Sequence, residues 1–357
     1  MADPAAPDSE GDADADAVDA VSVDGPSPDE LLAGAAEQGV HCLPVPTPFA
    51  VGRVNCYLIE GDPLTLIDAG PRSDQSLSSL EEQVGGVGFA IEDIDLVVAT
   101  HQHIDHIGLI RTVADRSGAE VAALDKAVDR LAGFGDRAKE ENDAAVDLML
   151  RNGVSEEVAN GLREITSSFL DWGDKVMVTM PLADGSYLEL GDRRLKVLHR
   201  PGHSPSDTVF HDEQRRMAFA GDHLLSHISS NPLISRPLDG SPGRTRSLID
   251  YNNSLRETRK MDLDLMLSGH GDPIADHVAL IDKRFAAEDR RLEKIFGIIK
   301  QEPSTAHVIA EKIWGNVALT QAYLTLSEVI GHTDILIEQG RVAERERDGL
   351  SMFEATE

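Results

Sequence analysis

The sequence predicts an α/β protein with a small winged-helix domain at its C-terminus. From about residue 40, short β-branched and apolar runs bounded by Gly, Pro or Asp alternate with segments whose apolar residues recur at helical spacing. Residues 286–357 have a different order, a helix, a helix pair and then a hairpin turned at Asp348 and Gly349. A length of 357 residues with 41% apolar content suits one large domain and a smaller appendage.

The charge balance is strongly acidic. Asp and Glu total 63 against 33 Lys and Arg, for a formal net charge of −30, and Arg far outnumbers Lys. Such a surface repels itself at low ionic strength and is relieved by screening, because the Debye length falls to about 3 Å in 1 M salt. We therefore hypothesise a halophilic protein that loses structure when salt is dialysed away. An ordinary acidic protein is the alternative.

The first 32 residues are predicted to form a disordered acidic tail. They consist mostly of Ala, Asp, Pro, Ser and Gly, whose small side chains bury too little surface to offset the entropy of ordering. They show no basic region followed by an apolar one, and no run in the chain approaches 18 apolar residues. The expected location is the cytoplasm, with no membrane partner.

The predicted elements follow one another in a regular order. The runs "HCLPVP", "VNCYLIE" and "PLTLIDAG" indicate strands, "SDQSLSSLEEQV" a Ser-capped helix, and "DIDLVVAT" a buried strand. The segment "IDHIGLIRTVADRSG" predicts one helix closed by Gly118, and "AEVAALD" another strand. Residues 126–175 form a helical insertion, for which a lid over the site and an exposed helical hairpin are the alternatives. Strands that end in polar loops come next, followed by amphipathic helices.

Four candidate metal ligands are crowded into "THQHIDHIG". If a strand ends near Thr100, His101 and His103 point the same way, while Asp105 and His106 begin the next helix and turn toward the same place. Imidazoles and a carboxylate without thiolates are typical of catalytic Zn, Fe or Mn sites. A lone HxH would be interpreted as two surface histidines, but the fuller HxHxDH pattern favours a metal site.

Other predicted strands are likewise followed by a candidate metal ligand. His203 follows "KVLHRPG", Asp222 follows "MAFAG" and His270 follows "LMLSG". Glycines beside these donors let the backbone bend sharply near a bound ion. Asp68 ends the strand "LTLI" and is predicted to accept a hydrogen bond from a metal-binding histidine.

The order IDAG, HxHxDH, PGHS, GDH and SGHG resembles the metallo-β-lactamase superfamily over about residues 40–285. The resemblance implies a four-layer αβ/βα sandwich in a catalytic domain of residues 33–285, and two divalent ions, with Zn favoured over Fe or Mn. It implies hydrolysis by a metal-activated hydroxide, with Asp105 also holding the attacking water. The resemblance assigns the ligands as His101, His103 and His203 for the first ion, Asp105, His106 and His270 for the second, and Asp222 as a bridge.

Within that superfamily, "NCYLIEGDPLTLIDAG" and "SGHGDPI" look like the glyoxalase II branch, whose members hydrolyse acyl thioesters. A thiol with a pKa of about 8.5 leaves readily as the thiolate, so no general acid is required. The leading prediction is a hydrolase of a hydroxyacyl thioester of a small thiol. Residues 286–357 instead look like the winged-helix tail of the lactamase-β-like endoribonuclease group, which departs from the helical glutathione-binding region of glyoxalase II.

That tail makes an RNA or DNA phosphodiester nuclease the second prediction. The helix "VALTQAYLTLSEVIG", where a nucleic-acid-reading helix would lie, has no Lys or Arg to meet phosphates, and this disfavours nucleic acid as a partner. A packing or dimerisation role for the tail is preferred, so a homodimer is a candidate assembly. A metal-binding protein without catalysis is the third prediction. His211, His223 and His227 are candidate general acids, although ordinary polar roles are favoured for them.

Overall fold

The protein is described here by a computed structural model that covers residues 25–356. The strands of this range are β1 (Val40–Val45), β2 (Val54–Ile59), β3 (Thr65–Ile67), β4 (Leu96–Val98), β5 (Glu120–Leu124), β6 (Met180–Leu182), β7 (Tyr187–Leu190), β8 (Arg193–His199), β9 (Thr208–Asp212), β10 (Met217–Gly221), β11 (Leu265–Ser268), β12 (Val342–Arg347) and β13 (Leu350–Ala355). The helices are α1 (Pro28–Ala36), α2 (Asp74–Gly86), α3 (Ile104–Ile107), α4 (Ile110–Ser117), α5 (Val128–Ala132), α6 (Asp136–Arg151), α7 (Glu156–Ser168), α8 (Ser247–Thr258), α9 (His277–Gln301), α10 (Ala306–Trp314), α11 (Val317–Thr320) and α12 (Ala322–Glu338).

Two large sheets form the body of the described part of the chain. The first has the order β1-β2-β3-β4-β5-β6, antiparallel from β1 to β3 and parallel from β3 to β6. The second has the order β11-β10-β9-β8-β7 and is antiparallel except for the β10–β11 pair. Because the carboxyl ends of parallel strands meet at one edge of a sheet, donors that follow these strands are brought close together.

Apolar side chains join the layers. Val98 of the first sheet and Phe219 of the second belong to one core between the sheets. Helices α2 and α4 cover the outer face of the first sheet through Leu80 and Val113, and α8 covers the outer face of the second through Leu255. These contacts confirm the predicted αβ/βα four-layer sandwich.

Helix α1 corrects the extent of the predicted tail, since it already spans residue 32. The Ser27 side chain caps α1 by accepting from the Glu30 backbone N–H, and the Glu30 carboxylate accepts from the Ser27 N–H at 2.7 Å. Leu31 and Leu32 pack against the core between the sheets. These leucines supply the apolar burial that the preceding residues lack. The rest of the tail prediction, residues 1–24, lies outside the described residues.

The segment after β4 forms α3 and α4 rather than the single predicted helix. Between them, Gly108 lies so close to other backbone that a Cβ there would be 2.3 Å from both the Arg72 nitrogen and the Trp172 oxygen. Gly118 ends α4 with φ 78°, as predicted. The break between α3 and α4 thus allows the backbone of Trp172, which belongs to the 126–175 insertion, to pack closely against Gly108.

The insertion and the C-terminal segment share one apolar core. Met149 of α6 packs in the same cluster as Ile295 of α9 and Phe353 of β13. The predicted boundary at residue 286 lies within α9, which continues from the sandwich into this second core. Helix α10, the pair α11–α12 and the β12–β13 hairpin follow in the predicted order. The winged-helix assignment of this unit stays a prediction.

Within residues 25–356, no helix combines the length and the apolar character that crossing a bilayer requires.

A buried ion pair ties the second sheet to the loop after α1. Arg193 donates to Asp212 at 2.9 Å and to the Gln38 carbonyl at 2.7 Å, and the two paired side chains are 3% and 0% exposed. Arg193→Ala leaves the Asp212 carboxylate buried with a weaker partner, so we expect it to lower the free energy of unfolding by about 3 to 5 kcal/mol. Urea denaturation checks this value. The control Arg194→Ala removes a 57% exposed neighbour, and we expect a loss below about 1 kcal/mol. Equal losses in the two variants would contradict the prediction.

Candidate metal centre

The structure brings all of the predicted ligand residues to one edge of the sandwich. They follow the carboxyl ends of strands from both sheets, where the loops turn toward each other. The positions are His101 and His103 after β4, Asp105 and His106 in α3, His203 after β8, Asp222 after β10, and His270 after β11.

Three histidines form the first group of donors. Nδ1 of His103 lies 3.0 Å from Nε2 of His101 and 2.9 Å from Nε2 of His203. All three donor nitrogens lie within 4.8 Å of one another. Nitrogens that share one tetrahedral ion at about 2.0 to 2.1 Å stand roughly 3.3 Å apart, so this group has the spacing that a single ion requires.

The second group contains Asp105, His106 and His270. Nε2 of His270 lies 3.2 Å from Oδ2 of Asp105, and the donor atoms of the three residues lie within 4.8 Å of one another. Asp222 lies between the two groups. Its Oδ1 is 3.4 Å from Nε2 of His106, and its Oδ2 is 3.6 Å from Nε2 of His203 and 3.5 Å from that of His270. Its carboxylate therefore faces both groups, as a bridging ligand must.

Several atoms of this cluster are buried without a hydrogen-bond partner within the described residues. They are Nε2 of His106, Nε2 of His270 and Oδ1 of Asp222. Leaving one buried polar atom unpaired costs about 1 to 3 kcal/mol. A cation bound among them would satisfy all three atoms. The residues present therefore fit a divalent metal, and the donors are the nitrogen and oxygen type of a catalytic site.

Two histidines of the first group and Asp222 have pKa shifts in the direction that suits metal binding. Burial lowers the pKa of His103 to about 3, with the charge of His203 adding to the effect. Burial likewise holds the pKa of His101 well below its ordinary value. Burial opposes the charge of Asp222 as well, but His106 and the other nearby histidines hold its pKa well below the usual range. His101 and His103 are thus neutral, and the Asp222 carboxylate is ionised.

Asp68 holds a ligand in place rather than joining the donors. Its Oδ2 accepts from Nδ1 of His106 at 2.7 Å and from the Thr100 hydroxyl at 2.7 Å, and its Oδ1 accepts from the Thr100 N–H at 2.9 Å. These bonds fix the ring orientation that aims Nε2 of His106 at the donor cluster. Asp68 has a φ of 55°, a left-handed conformation that Asp and Asn tolerate better than most residues.

Asp68→Asn tests this positioning role. Asn keeps the backbone conformation, but its amide cannot accept all three bonds that the carboxylate accepts. We expect the affinity of the second site for metal to fall about 10- to 100-fold, with the fold retained. Titration of the metal-depleted protein against a competing chelator measures the affinity. An unchanged affinity would show that His106 needs no such partner.

Two backbone carbonyls that sequence reasoning missed orient other ligands. Nδ1 of His203 donates to the Asn231 carbonyl at 3.1 Å, and Nδ1 of His270 donates to the Arg53 carbonyl at 2.7 Å. In both histidines this leaves Nε2 free for the cluster. No side-chain type encodes a carbonyl acceptor, so no sequence signal was available for these contacts.

The loop that carries His270 is held by β2. The Asn55 amide donates to the carbonyls of Ser268 and Gly271 at 3.1 and 2.9 Å, and the Tyr57 hydroxyl donates to the Ser268 carbonyl at 2.6 Å. A signal existed in this case, because β2 is buried along its whole length and yet contains an asparagine. A buried amide of this kind must find partners, which indicates a structural contact.

The candidate general acids have different surroundings. His211 lies within β9. His223 is buried, and its Nε2 lies 2.8 Å from the Thr258 hydroxyl oxygen. This contact gives His223 an ordinary polar role in the fold. His227 is exposed at the edge of the centre. Its ring lies against Gly271, where a Cβ would be 2.3 Å from Nδ1 of His227. Of the three, His227 is the one placed beside the donor cluster.

Known proteins are similar to this chain in sequence and in fold. The family model described as "Metallo-beta-lactamase superfamily" matches residues 50–270. The probable metallo-hydrolase YqjP of Bacillus subtilis (strain 168) is 34% identical over 308 residues, which are 84% of this chain and 92% of that protein. The metallo-beta-lactamase family protein TTHA1429 from Thermus thermophilus superposes with a TM-score of 0.73 at 26% identity, covering 89% of this chain and 99% of the other.

Two relatives carry thioester substrates in their names. The human acyl-coenzyme A thioesterase MBLAC2 is 32% identical over 183 residues, which are 48% of this chain and 58% of that protein. The hydroxyacylglutathione hydrolase GloC of Haemophilus influenzae is 26% identical over 184 residues, which are 50% of this chain and 70% of that protein. This chain therefore matches less than two thirds of the length of the human protein, whereas it matches most of the length of the Bacillus subtilis protein.

Proposed function

The chain belongs to the metallo-β-lactamase superfamily, and from this premise we propose that it is a metal-dependent hydrolase of acyl thioesters. The observation that carries the proposal is the convergence of imidazoles and carboxylates in which Nε2 of His106, Nε2 of His270 and Oδ1 of Asp222 are buried without a hydrogen-bond partner among the described residues. Two divalent ions, with zinc favoured over iron or manganese, would supply an acidified water and polarise the substrate carbonyl at such a site.

The proposal gives each residue of the cluster one role. The three histidines of the first group would bind one ion, Asp105, His106 and His270 would bind the other, and Asp222 would contact both. Asp68 would keep His106 oriented through their 2.7 Å contact.

Asp105 would in addition orient the attacking water. Burial opposes the charge on this carboxylate, but His106 lowers its pKa, and its Oδ2 lies 3.2 Å from Nε2 of His270. An ionised carboxylate accepts a hydrogen bond from the water and aims its lone pair at the carbonyl carbon. The water, deprotonated to hydroxide, would add through its oxygen to the carbonyl carbon, the C–S bond would then break, and the products would be a carboxylic acid and a thiolate. With a thiol pKa of about 8.5, the thiolate departs without a general acid.

The substrate assignment draws on relatives as well as on this chemistry. The human and Haemophilus relatives are by name hydrolases of acyl thioesters, and each match covers about half of this chain. We propose a small-molecule thioester as the substrate. The net charge of −30 leads us to expect activity in concentrated KCl within a salt-rich cytoplasm.

One comparison tests the proposal. In high-KCl buffer with added Zn or Mn, the pure protein is assayed on a panel of acyl thioesters, on labelled RNA and on labelled single-stranded DNA. We expect thioester turnover that is lost in His103→Ala and kept in the matched control His41→Ala. His41 lies on β1, where its Nε2 is 2.6 Å from a Glu60 carboxylate oxygen.

Other outcomes would replace the proposal. Cleavage of nucleic acid without thioester turnover would assign the protein to the nucleases. If the folded, metal-loaded protein hydrolysed none of these substrates, a binding role without catalysis would be favoured.

A further inference from the structure

A cavity lies where the insertion, the loop after β10 and the C-terminal segment meet. Its volume is about 390 Å³, which is within the range of about 300 to 1,000 Å³ that small-molecule sites occupy. Helix α6 of the insertion, residues 234–244 of the loop, helix α12 and the β12–β13 hairpin contribute to its lining. None of the candidate metal ligands is among the lining residues. The cavity is therefore a second candidate site, apart from the metal centre.

Basic side chains are concentrated in the lining of this cavity. It contains three arginines and two glutamates, which are Arg151, Arg236, Arg244, Glu141 and Glu344. In the whole chain, by contrast, 63 acidic residues outnumber 33 basic ones. The Glu141 carboxylate is already engaged, because it accepts from the Arg130 side chain and from the Arg236 backbone N–H. The lining thus offers positive charge in a strongly acidic protein, which favours an anionic ligand.

The three arginines differ in how far other residues engage them. Arg244 is held in place by hydrogen bonds to both carboxylate oxygens of Asp334, at 2.6 and 2.7 Å. Arg236 donates to a carboxylate of α6 at 3.1 Å. Arg151, the last residue of α6, is exposed and makes no ion pair with a carboxylate of residues 25–356. Its guanidinium is available to bind a carboxylate or phosphate group through two parallel hydrogen bonds.

Two lining residues have buried polar atoms that lack a hydrogen-bond partner among the described residues. Asn152 is 4% exposed, and its Oδ1 is one of these atoms. The Ser235 hydroxyl oxygen is the other. A buried polar atom without a partner is destabilising. An oxygen of a bound ligand would accept from the Ser235 hydroxyl, and a water or hydroxyl held with it would donate to Asn152.

The rest of the lining is largely apolar. Leu148, Ile234 and Ile330 are buried there, and Tyr323 and Phe353 add aromatic rings. The Tyr323 hydroxyl donates to the Ile234 carbonyl, which fixes the position of the ring. Apolar walls with a small number of polar groups are typical of sites for small organic molecules. The ligand that fits therefore has an apolar body as well as an anionic group.

We propose that this cavity binds a small organic anion, with its carboxylate or phosphate group at Arg151 and Arg236 and its apolar body against Tyr323 and Phe353. The inference goes beyond the proposed hydrolysis, since the cavity contains none of the candidate metal ligands. The three guanidinium groups disfavour a cation. The volume of about 390 Å³ suits a small molecule better than a segment of a partner protein.

Isothermal titration calorimetry of the zinc-loaded, full-length protein tests the proposal, in KCl buffer, with benzoate, phenyl phosphate and benzamide as probes. Benzoate and phenyl phosphate carry the two kinds of anionic group on the same ring, and benzamide is a neutral molecule of the shape of benzoate. We expect at least one of the anions to bind, and benzamide to bind at least about tenfold more weakly. The tighter of the two anions identifies the anionic group that the site prefers.

Two variants assign the binding to the cavity. Arg151→Gln removes a charge and should weaken binding of the anion at least about fivefold. Ala144→Trp fills the cavity from α6 and should abolish binding of every probe. The matched control is Arg163→Gln on α7, where Arg163 is 43% exposed, lies 3.6 Å from Asp143 and is not part of the lining. The control should bind the anion within about twofold of the wild type. Zinc content and circular dichroism show that each variant is folded.

Three results would overturn the proposal. The first is failure of both anions to bind, and the second is equal affinity for benzoate and benzamide. The third is anion binding that stays unchanged in both cavity variants, because the anion would then lie elsewhere, for example on the zinc ions. None of these results depends on thioester turnover, so the proposed function and this inference can fail separately.

Discussion

Asp222→Ala is expected to lower kcat/KM on an acyl thioester at least about 1,000-fold, because it removes the carboxylate that faces both donor groups. The Asp222 oxygens lie 3.4 Å from Nε2 of His106 and 3.6 Å from Nε2 of His203. A 1,000-fold loss corresponds to about 4 kcal/mol of transition-state stabilisation, which is within what metal sites supply. Steady-state kinetics measure the effect, with metal content and circular dichroism recorded on the same sample.

A surface aspartate provides the control for the change in charge. Asp115 is 72% exposed on α4, where it lies 3.5 Å from Arg111. Asp115→Ala should keep activity within about twofold, because exposed pairs of this kind contribute little. If Asp222→Ala kept more than a tenth of the activity, Asp222 would not be a metal ligand.

Gly269→Ala is expected to disable the same centre by steric means. A Cβ at this position would be 2.3 Å from Oδ1 of Asp222 and 2.7 Å from Cε1 of His106. Two hydrogen bonds prevent the backbone from moving away to relieve this clash. The Gly269 N–H donates to the Gly221 carbonyl at 2.7 Å, and the Gly269 carbonyl accepts from the Asn55 N–H at 2.7 Å. We expect metal affinity and kcat/KM each to fall at least about 100-fold, because the two ligands must leave their positions.

Gly297→Ala is the matched control on α9. A Cβ there would meet nothing within 4 Å, and the position is helical. This variant should keep its metals and gain about 0.5 to 1 kcal/mol of stability from the better helix propensity of alanine. Metal affinity at the wild-type level in Gly269→Ala would contradict the packing that places Asp222 and His106 against this glycine.

The sequence predicted most of the centre because its donors follow a rule of sheet geometry. Asp68 and Asp222 come directly after short apolar strands, His101 and His270 follow theirs within three residues, and strand ends converge at one edge. Turn chemistry predicted local features as well. The hairpin turns at Asp348 and Gly349, both of which have a positive φ, 52° and 78°.

Other features could not be predicted for physical reasons. The carbonyls of Arg53 and Asn231 orient two ligands, but a backbone acceptor is the same in every residue type. The apolar face of α6 indicates burial without indicating the partner, so its packing against α9, α12 and the final hairpin was visible only in the fold. The start of α1 was missed because Leu31 and Leu32 are few apolar residues next to a long acidic stretch.

The position of metal in the folded protein tests the central claim most directly. Crystals of the zinc-loaded protein, with diffraction data recorded on both sides of the zinc absorption edge, should give two anomalous peaks about 3.5 to 4 Å apart. One peak should lie among the histidines of the first group and the other among Asp105, His106 and His270, with Asp222 in contact with both. The absence of any peak among these residues in a folded protein supplied with excess zinc would contradict the account.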